Sequence, residues 1–310
     1  MNQPYDLAPD DHADQSVRKI LRRLFAALRS NVDGVVEDAD IEFLHDLRVA
    51  NRRTRTALSQ IKGVLPTAVL ETYQPEFKWL GDVTGACRDL DVFLIAIEDS
   101  LQRSPMNDGA LRPLKDFLGA QRRTEHDLVR VALQSNRFRL LVEGWDRFLE
   151  SPSEGKIPRL ASSPIIDVAG PQILKAYRRI RKRGSGIDVD PSADLLHRLR
   201  IDAKKLRYLL EFFSDLYPLV TVSRLIGELK QLQDILGDFS DTVVQLALID
   251  EYADCGNVSA ETLAATKTLT DAIEERQCQL RAEFAERFEL FASEESRKLY
   301  RKTFKATSSA

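Results

Sequence analysis

Apolar residues recur along this chain at three- and four-residue spacing, and strict apolar–polar alternation is almost absent. That period gathers side chains on one face of an α-helix. Phe43, Leu47, Ala50, Leu58 and Ile61 make one such face, and Leu199, Ala203, Leu206 and Leu210 make another. The pattern predicts helices near 14–30, 40–62, 67–84, 89–103, 109–134 and 136–150. It predicts others near 171–183, 192–215, 219–236, 240–255 and 259–303. The expected class is all-α. Residues 1–13 read as a disordered tail and 304–310 as a C-terminal tail. Four of the twelve prolines fall between Pro152 and Pro171, so 151–170 reads as a linker. It would join a first helical bundle at 14–150 to a second at 171–303.

The polar positions carry a second pattern. Leu44–Leu58 reads LHDLRVANRRTRTAL and Leu196–Leu210 reads LHRLRIDAKKLRYLL, in register at an offset of 152 residues. His45 aligns with His197, Arg48 with Arg200, Arg52 with Lys204, Arg53 with Lys205 and Arg55 with Arg207. The same offset pairs Gly85 with Gly237 and Asp89 with Asp241. Self-similarity over such a span indicates a duplicated unit. On a helix, His45, Arg48, Arg52 and Arg55 fall within an arc of about 80°. His197, Arg200, Lys204 and Arg207 repeat that arc. The preceding helices add basic faces of their own: Arg18, Arg22 and Arg29 in the first unit, and Lys175, Arg178, Arg179 and Lys182 in the second.

A charged helix face is ordinarily just solvated. Two features argue for more. Carboxylates four residues away normally interleave such faces, and none do so within the two arcs. Residues 15–55 and 171–207 also hold 20 of the 45 Lys and Arg against 10 carboxylates, in a chain whose net charge is −3. The cationic field is therefore local. Gly85 and Gly237 are expected at helix C-caps with positive φ. Asp89 and either Ser240 or Asp241 are expected to cap the following helices, with Asp89 or Asp91 alternatively orienting an arginine.

No apolar run approaches the roughly 20 residues a membrane span requires. The polar, acidic N-terminus does not resemble a signal peptide. Three widely spaced cysteines suggest reduced thiols in a cytoplasmic protein.

The doubled H-x-x-R-[VI]-x-x-[RK]-[RK]-x-R pattern resembles the CHAD family, the conserved-histidine α-helical domains, over roughly residues 14–303. The resemblance implies two pseudo-symmetric four-helix bundles around a basic central groove or pore. It implies inorganic polyphosphate as partner, and granule association for some members. Carried over by position, the motif assigns ligand contacts to His45, Arg48, Arg52, Arg53, Arg55, His197, Arg200, Lys204, Lys205 and Arg207. The flanking helices add Arg18, Arg22, Arg29, Lys175, Arg178, Arg179 and Lys182. Asn51, Thr56 and Ser240 depart from the pattern. The E-x-E-x-K strand of the triphosphate tunnel domain that many relatives carry is not found, so a stand-alone version is expected.

Such residues suit a polyphosphate, which offers charge and no base to read. Recognition would be Coulombic and driven by counterion release. Arginine grips two oxygens at once, while lysine acts as a point charge. Protonated His45 and His197 would add affinity at pH 6 relative to pH 8, whereas His12 and His126 are assigned to the tail and a solvated helix face. No catalytic residue, cofactor or metal site is expected, since phosphate-loop, H-E-x-x-H and Cys/His ligand spacings are missing. An enzyme would have to use Asp89-x-Asp91. RNA or DNA binding is disfavoured by the scarcity of aromatics within the arcs and by a sequence pI near 5.9. A scaffold docking an acidic protein segment is the remaining alternative.

Overall fold

A computed structural model describes residues 4–103, 108–151, 157–185, 191–256 and 258–305. These form twelve α-helices and one 3-10 turn. In chain order the helices are α1 (Ala13–Arg29), α2 (Val32–Val36), α3 (Ile41–Gln60), α4 (Thr67–Val83), α5 (Gly85–Arg103), α6 (Asp108–Leu133), α7 (Asn136–Glu150), α8 (Ile165–Gly184), α9 (Ala193–Phe212), α10 (Leu219–Asp254), α11 (Ala260–Ala292) and α12 (Glu294–Phe304). The all-α expectation holds, with no strand among the described residues. None of the described helices is long and apolar enough to cross a membrane.

Local chemistry sets several boundaries. Asp40 caps α3 by accepting from the Glu42 amide at 2.8 Å. Ser192 caps α9 by accepting from the Leu195 amide, as polar N-cap side chains do for the unpaired first-turn donors. The predicted 259–303 helix is two helices, because Ser293 takes an extended ψ and caps α12 through the Ser296 amide.

Other boundaries differ from expectation. The predicted helices 219–236 and 240–255 are one continuous helix, α10. Gly237 sits inside it between buried Leu236 and Phe239, and neither it nor Gly85 has positive φ. Thr84, at φ −92°, ends α4, and Asp89 lies one turn inside α5 rather than at its cap. Packing along α9 and α11 carries α10 straight through the expected turn; tertiary contact outweighs a glycine cost of about 1 kcal/mol.

The two predicted non-helical segments are ordered against each other where described. Tyr5 and Leu7 are buried, and Tyr5 meets Phe212 edge-on. The Leu160 amide donates to Gly63, the Ala13 amide to Ser163 and the Ile165 amide to Asp11. Residues 4–12 are therefore packed rather than disordered, and α8 begins within the expected linker. Residues 1–3, 152–156 and 306–310 of the predicted tails and linker lie outside the described residues. Phe304 is buried at the end of α12.

One large apolar core runs from Leu47 and Leu58 of α3 through Leu199 and Leu206 of α9 to Phe284 and Tyr300, joining residues of both repeats. A smaller core joins Phe93, Ile97 and Leu114 of α5 and α6 to Ile249 and Ile273 of α10 and α11. The repeated basic helices α3 and α9 pack directly on each other. Burying their apolar faces in the shared core leaves their basic arcs to meet along one seam.

Candidate functional site

At that seam, Arg48 extends from α3 to the end of α4, donating to the Gly81 carbonyl at 2.9 Å and the Thr84 hydroxyl at 2.7 Å. Thr84 is itself fixed by donating to the Leu80 carbonyl. Arg52 donates its Nε hydrogen to the Tyr208 hydroxyl of α9 at 2.8 Å. Arg200 of α9 reaches α10, with Nη1 at 3.2 Å from the Ser240 hydroxyl and Nη2 at 3.5 Å from Asp241. Each repeat thus aims its first arginine at the segment 33 to 41 residues downstream, where the sequence repeats its distal motif.

These groups feel one another electrostatically. Burial and the Arg52 and Arg200 guanidiniums lower the Lys204 pKa to about 6, with Asp241 opposing and Arg207 adding to the shift. Asp89 responds to Arg48, Arg200, Arg88 and Lys204, and Asp241 to Arg200, Lys204 and Arg88. Protein atoms surrounding both carboxylates raise their pKa, although each keeps a solvent-facing edge at the rim. Five basic side chains (Arg48, Arg52, Arg88, Arg200 and Lys204) therefore share one neighbourhood with two carboxylates. Arg88 Nη1 and Arg200 Nε are buried without a hydrogen-bond acceptor among the described residues. Buried donors lacking partners are costly, so the cluster is under-compensated as it stands.

Arg55 extends the cluster along α3. A Cβ at Gly81 would stand 2.5 Å from Arg55 Nη1 and 3.2 Å from the Asn51 amide nitrogen. The glycine lets the guanidinium lie against the α4 backbone. Burial and Arg88 lower the His45 pKa at the half-buried start of the arc, while His197 is exposed.

Other sequence-assigned residues are engaged elsewhere. Arg53 is neutralised between α3 and α9 rather than joining the cluster: only 6% exposed, it pairs with Glu211 at 2.7 Å and lies against the Tyr208 and Phe212 rings. Arg207 meets the other Glu211 oxygen at 3.4 Å. The α1 arginines face α7. Arg18 covers the Phe148 ring and bonds its carbonyl, Arg22 pairs with Glu150, and Arg29 pairs with Asp146. Arg179 pairs with Asp202, while Lys175, Arg178 and Lys182 stand exposed on α8. His126 is not on a solvated face. It is buried, with Nε2 2.7 Å from the Val35 carbonyl, because α6 packs on α2.

Arg88, Tyr208, Gly81 and Thr84 were not marked in the sequence as parts of this site, whereas Asp89, offered as an arginine-orienting group, lies beside Arg48 and Arg200. Asp91, offered as an arginine-orienting group, does that work outside the cluster. It is buried and pairs with Arg122 at 2.9 Å, and Arg122 also bonds Asp38.

Comparison with known proteins supports the same frame. The chain resembles "Uncharacterized protein Rv2226" of Mycobacterium tuberculosis, 25% identical over 238 residues, which are 74% of this chain and 44% of that protein. It thus spans less than half the length of the curated relatives it matches. Among solved structures, the CHAD domain from the plant Ricinus communis superposes with a TM-score of 0.75 at 27% identity, covering 93% of this chain and 95% of that one. PptA from Streptomyces chartreusis shares the fold, with a TM-score of 0.72 at 16% identity over 90% and 100% of the two chains. The CHAD domain family itself matches residues 19–250, three quarters of the sequence. This chain belongs to the CHAD family.

Proposed function

We propose that the seam between α3 and α9 binds inorganic polyphosphate, without chemical conversion. The observation that carries this reading is the gathering of Arg48, Arg52, Arg88, Arg200 and Lys204, contributed by both repeats, around only two carboxylates. Such a cluster repels itself unless a polyanion compensates it. The depressed Lys204 pKa records that repulsion together with burial. Phosphate oxygens bond the accessible edges of the cluster's guanidiniums by charge-assisted hydrogen bonds, and releasing counterions from the chain adds a salt-dependent driving force. The polyphosphate partner implied by the family resemblance fits this chemistry. Asp89 and Asp241 act as countercharges that hold Arg48 and Arg200 in place until the ligand arrives. Tyr208, an aromatic in contact with the cluster, is buried and accepts a hydrogen bond from Arg52, so it offers no exposed face on which a nucleic-acid base would stack.

Competition tests the reading. Polyphosphate displaces a labelled single-stranded RNA at low concentration, while RNA displaces labelled polyphosphate poorly at equal phosphate. Equal displacement in both directions contradicts polyphosphate selectivity and points to a general polyanion site. The expected setting is cytoplasmic, with polyphosphate granules as the place to look for the protein.

A further inference from the structure

A second cationic group lies where α8, α9 and the end of α3 meet. Asp202, 4% exposed, faces two arginines of α8 at once. Arg179 Nε lies 3.1 Å from Oδ1 and Arg183 Nε 3.0 Å from Oδ2. Gln60, the last residue of α3, accepts from Arg179 Nη2 at 2.8 Å. These are ion pairs without hydrogen-bond geometry, so the buried carboxylate lies between the two guanidiniums as their shared countercharge. The terminal nitrogens of Arg183 are left without a hydrogen bond among the described residues. Lys205 adjoins the group: burial lowers its pKa, Asp202 opposes that, and Arg179, Arg183 and Arg55 add to it. Four basic side chains thus gather about one carboxylate. Each arginine remains about one-third exposed.

This arrangement is not a product of the repeat. The position aligned with Asp202 is Ala50, which is buried in the core. A single buried carboxylate among four cations is poor neutralisation. It is good positioning, because one buried charge draws both guanidiniums to the same spot while each stays about one-third exposed.

Resting on the reading of the seam as a polyphosphate site, we infer that Arg179, Arg183 and Lys205 form a second phosphate-binding station, with Asp202 as the residue that positions the two arginines. Arg55 links the stations, since it lies near both Arg48 and Lys205. Helical rise separates Arg48 from Arg55 by about 10 Å along α3. A chain of a few phosphates fills the seam; a longer chain continues past Arg55 and engages both stations.

The test compares tripolyphosphate with a long-chain polyphosphate on the full chain, by calorimetric titration at constant salt. Wild type binds the long chain more tightly per phosphate. R179Q/R183Q, both at partly exposed positions, loses roughly tenfold in long-chain affinity and keeps its tripolyphosphate affinity. D202N reproduces that selective loss. R179K/R183K, which keeps charge but loses the planar fork that grips two phosphate oxygens, does not restore the long-chain advantage. Thermal melting confirms that each variant is folded. Retention of the length advantage in R179Q/R183Q overturns the second station alone, as does an equal loss for both ligands. Absence of binding by wild type to either ligand removes the parent reading, and this one with it.

Discussion

Arg52 and Tyr208 join the two repeats through one hydrogen bond, 2.8 Å from guanidinium Nε to phenol oxygen. The bond fixes one edge of Arg52 and leaves its Nη nitrogens without a hydrogen bond among the described residues. The tyrosine ring is buried and stacked near Phe212, so Y208F keeps the packing and removes only the orienting contact. We predict a loss of about 1 kcal/mol in polyphosphate binding, roughly fivefold, with a nearly unchanged melting midpoint. Fluorescence anisotropy and thermal melting check this; unaltered affinity would mean Arg52 needs no such guide.

Lys204 sets the pH dependence. Its pKa of about 6 leaves it largely neutral at neutral pH in the free protein. A bound polyanion favours the protonated form, so binding takes up a proton above pH 6. Affinity therefore falls as pH rises from 6 toward 8, by up to about tenfold per pH unit for one linked proton. K204R keeps its charge and flattens the profile. H45Q/H197Q leaves most of the slope, because burial and Arg88 push His45 below the usual imidazole range. The folding sign also follows. With its folded pKa below the unfolded value, Lys204 makes the free protein less stable as pH falls toward 6, and K204M melts higher than wild type there. An unchanged pH slope in K204R contradicts this assignment.

Gly81 separates binding from stability. G81A replaces a helical glycine, which favours the helix by about 0.5–1 kcal/mol, yet its Cβ displaces the Arg55 guanidinium. The expected variant melts no lower than wild type and binds long-chain polyphosphate several-fold more weakly. Undiminished affinity in this variant would show that Arg55 plays no part.

Asp91 gives the opposite separation. D91N breaks its pair with Arg122 in a buried setting, at a cost of about 3 kcal/mol. Chemical denaturation then shows a lower midpoint, while polyphosphate affinity measured well below the transition stays within twofold. A large affinity loss in the folded variant would assign Asp91 to the site.

Most helix cores were legible in the sequence, because burying one face leaves a 3.6-residue rhythm that no tertiary contact erases. The failures have a common physical origin. Gly237 offers a turn that packing against α9 and α11 overrides, and Tyr5 and Leu7 look like tail residues until Phe212 and Asp215 receive them. At the site, the repeat exposed Arg48, Arg52, Arg200 and Lys204, since two aligned copies mark which charges recur. It could not show that Arg53 turns toward Glu211 or that the α1 arginines serve α7. The expectation that no carboxylate four residues away meets the arcs fails at Arg207, which pairs with Glu211 on the same helix, and Asp89, Asp241 and Asp202 oppose these cations from across helices, where spacing along one helix does not reach.

The central claim is that basic side chains of both repeats act on one ligand. The most direct measurement is a polyphosphate titration of wild type and R48A/R52A/R200A/K204A at several salt concentrations. The account predicts weaker binding by the variant and a log–log salt slope shallower by roughly 2 to 3, at about 0.7 per lost phosphate contact, with helicity preserved. The same affinity and the same slope in both proteins would place the ligand elsewhere and contradict the account.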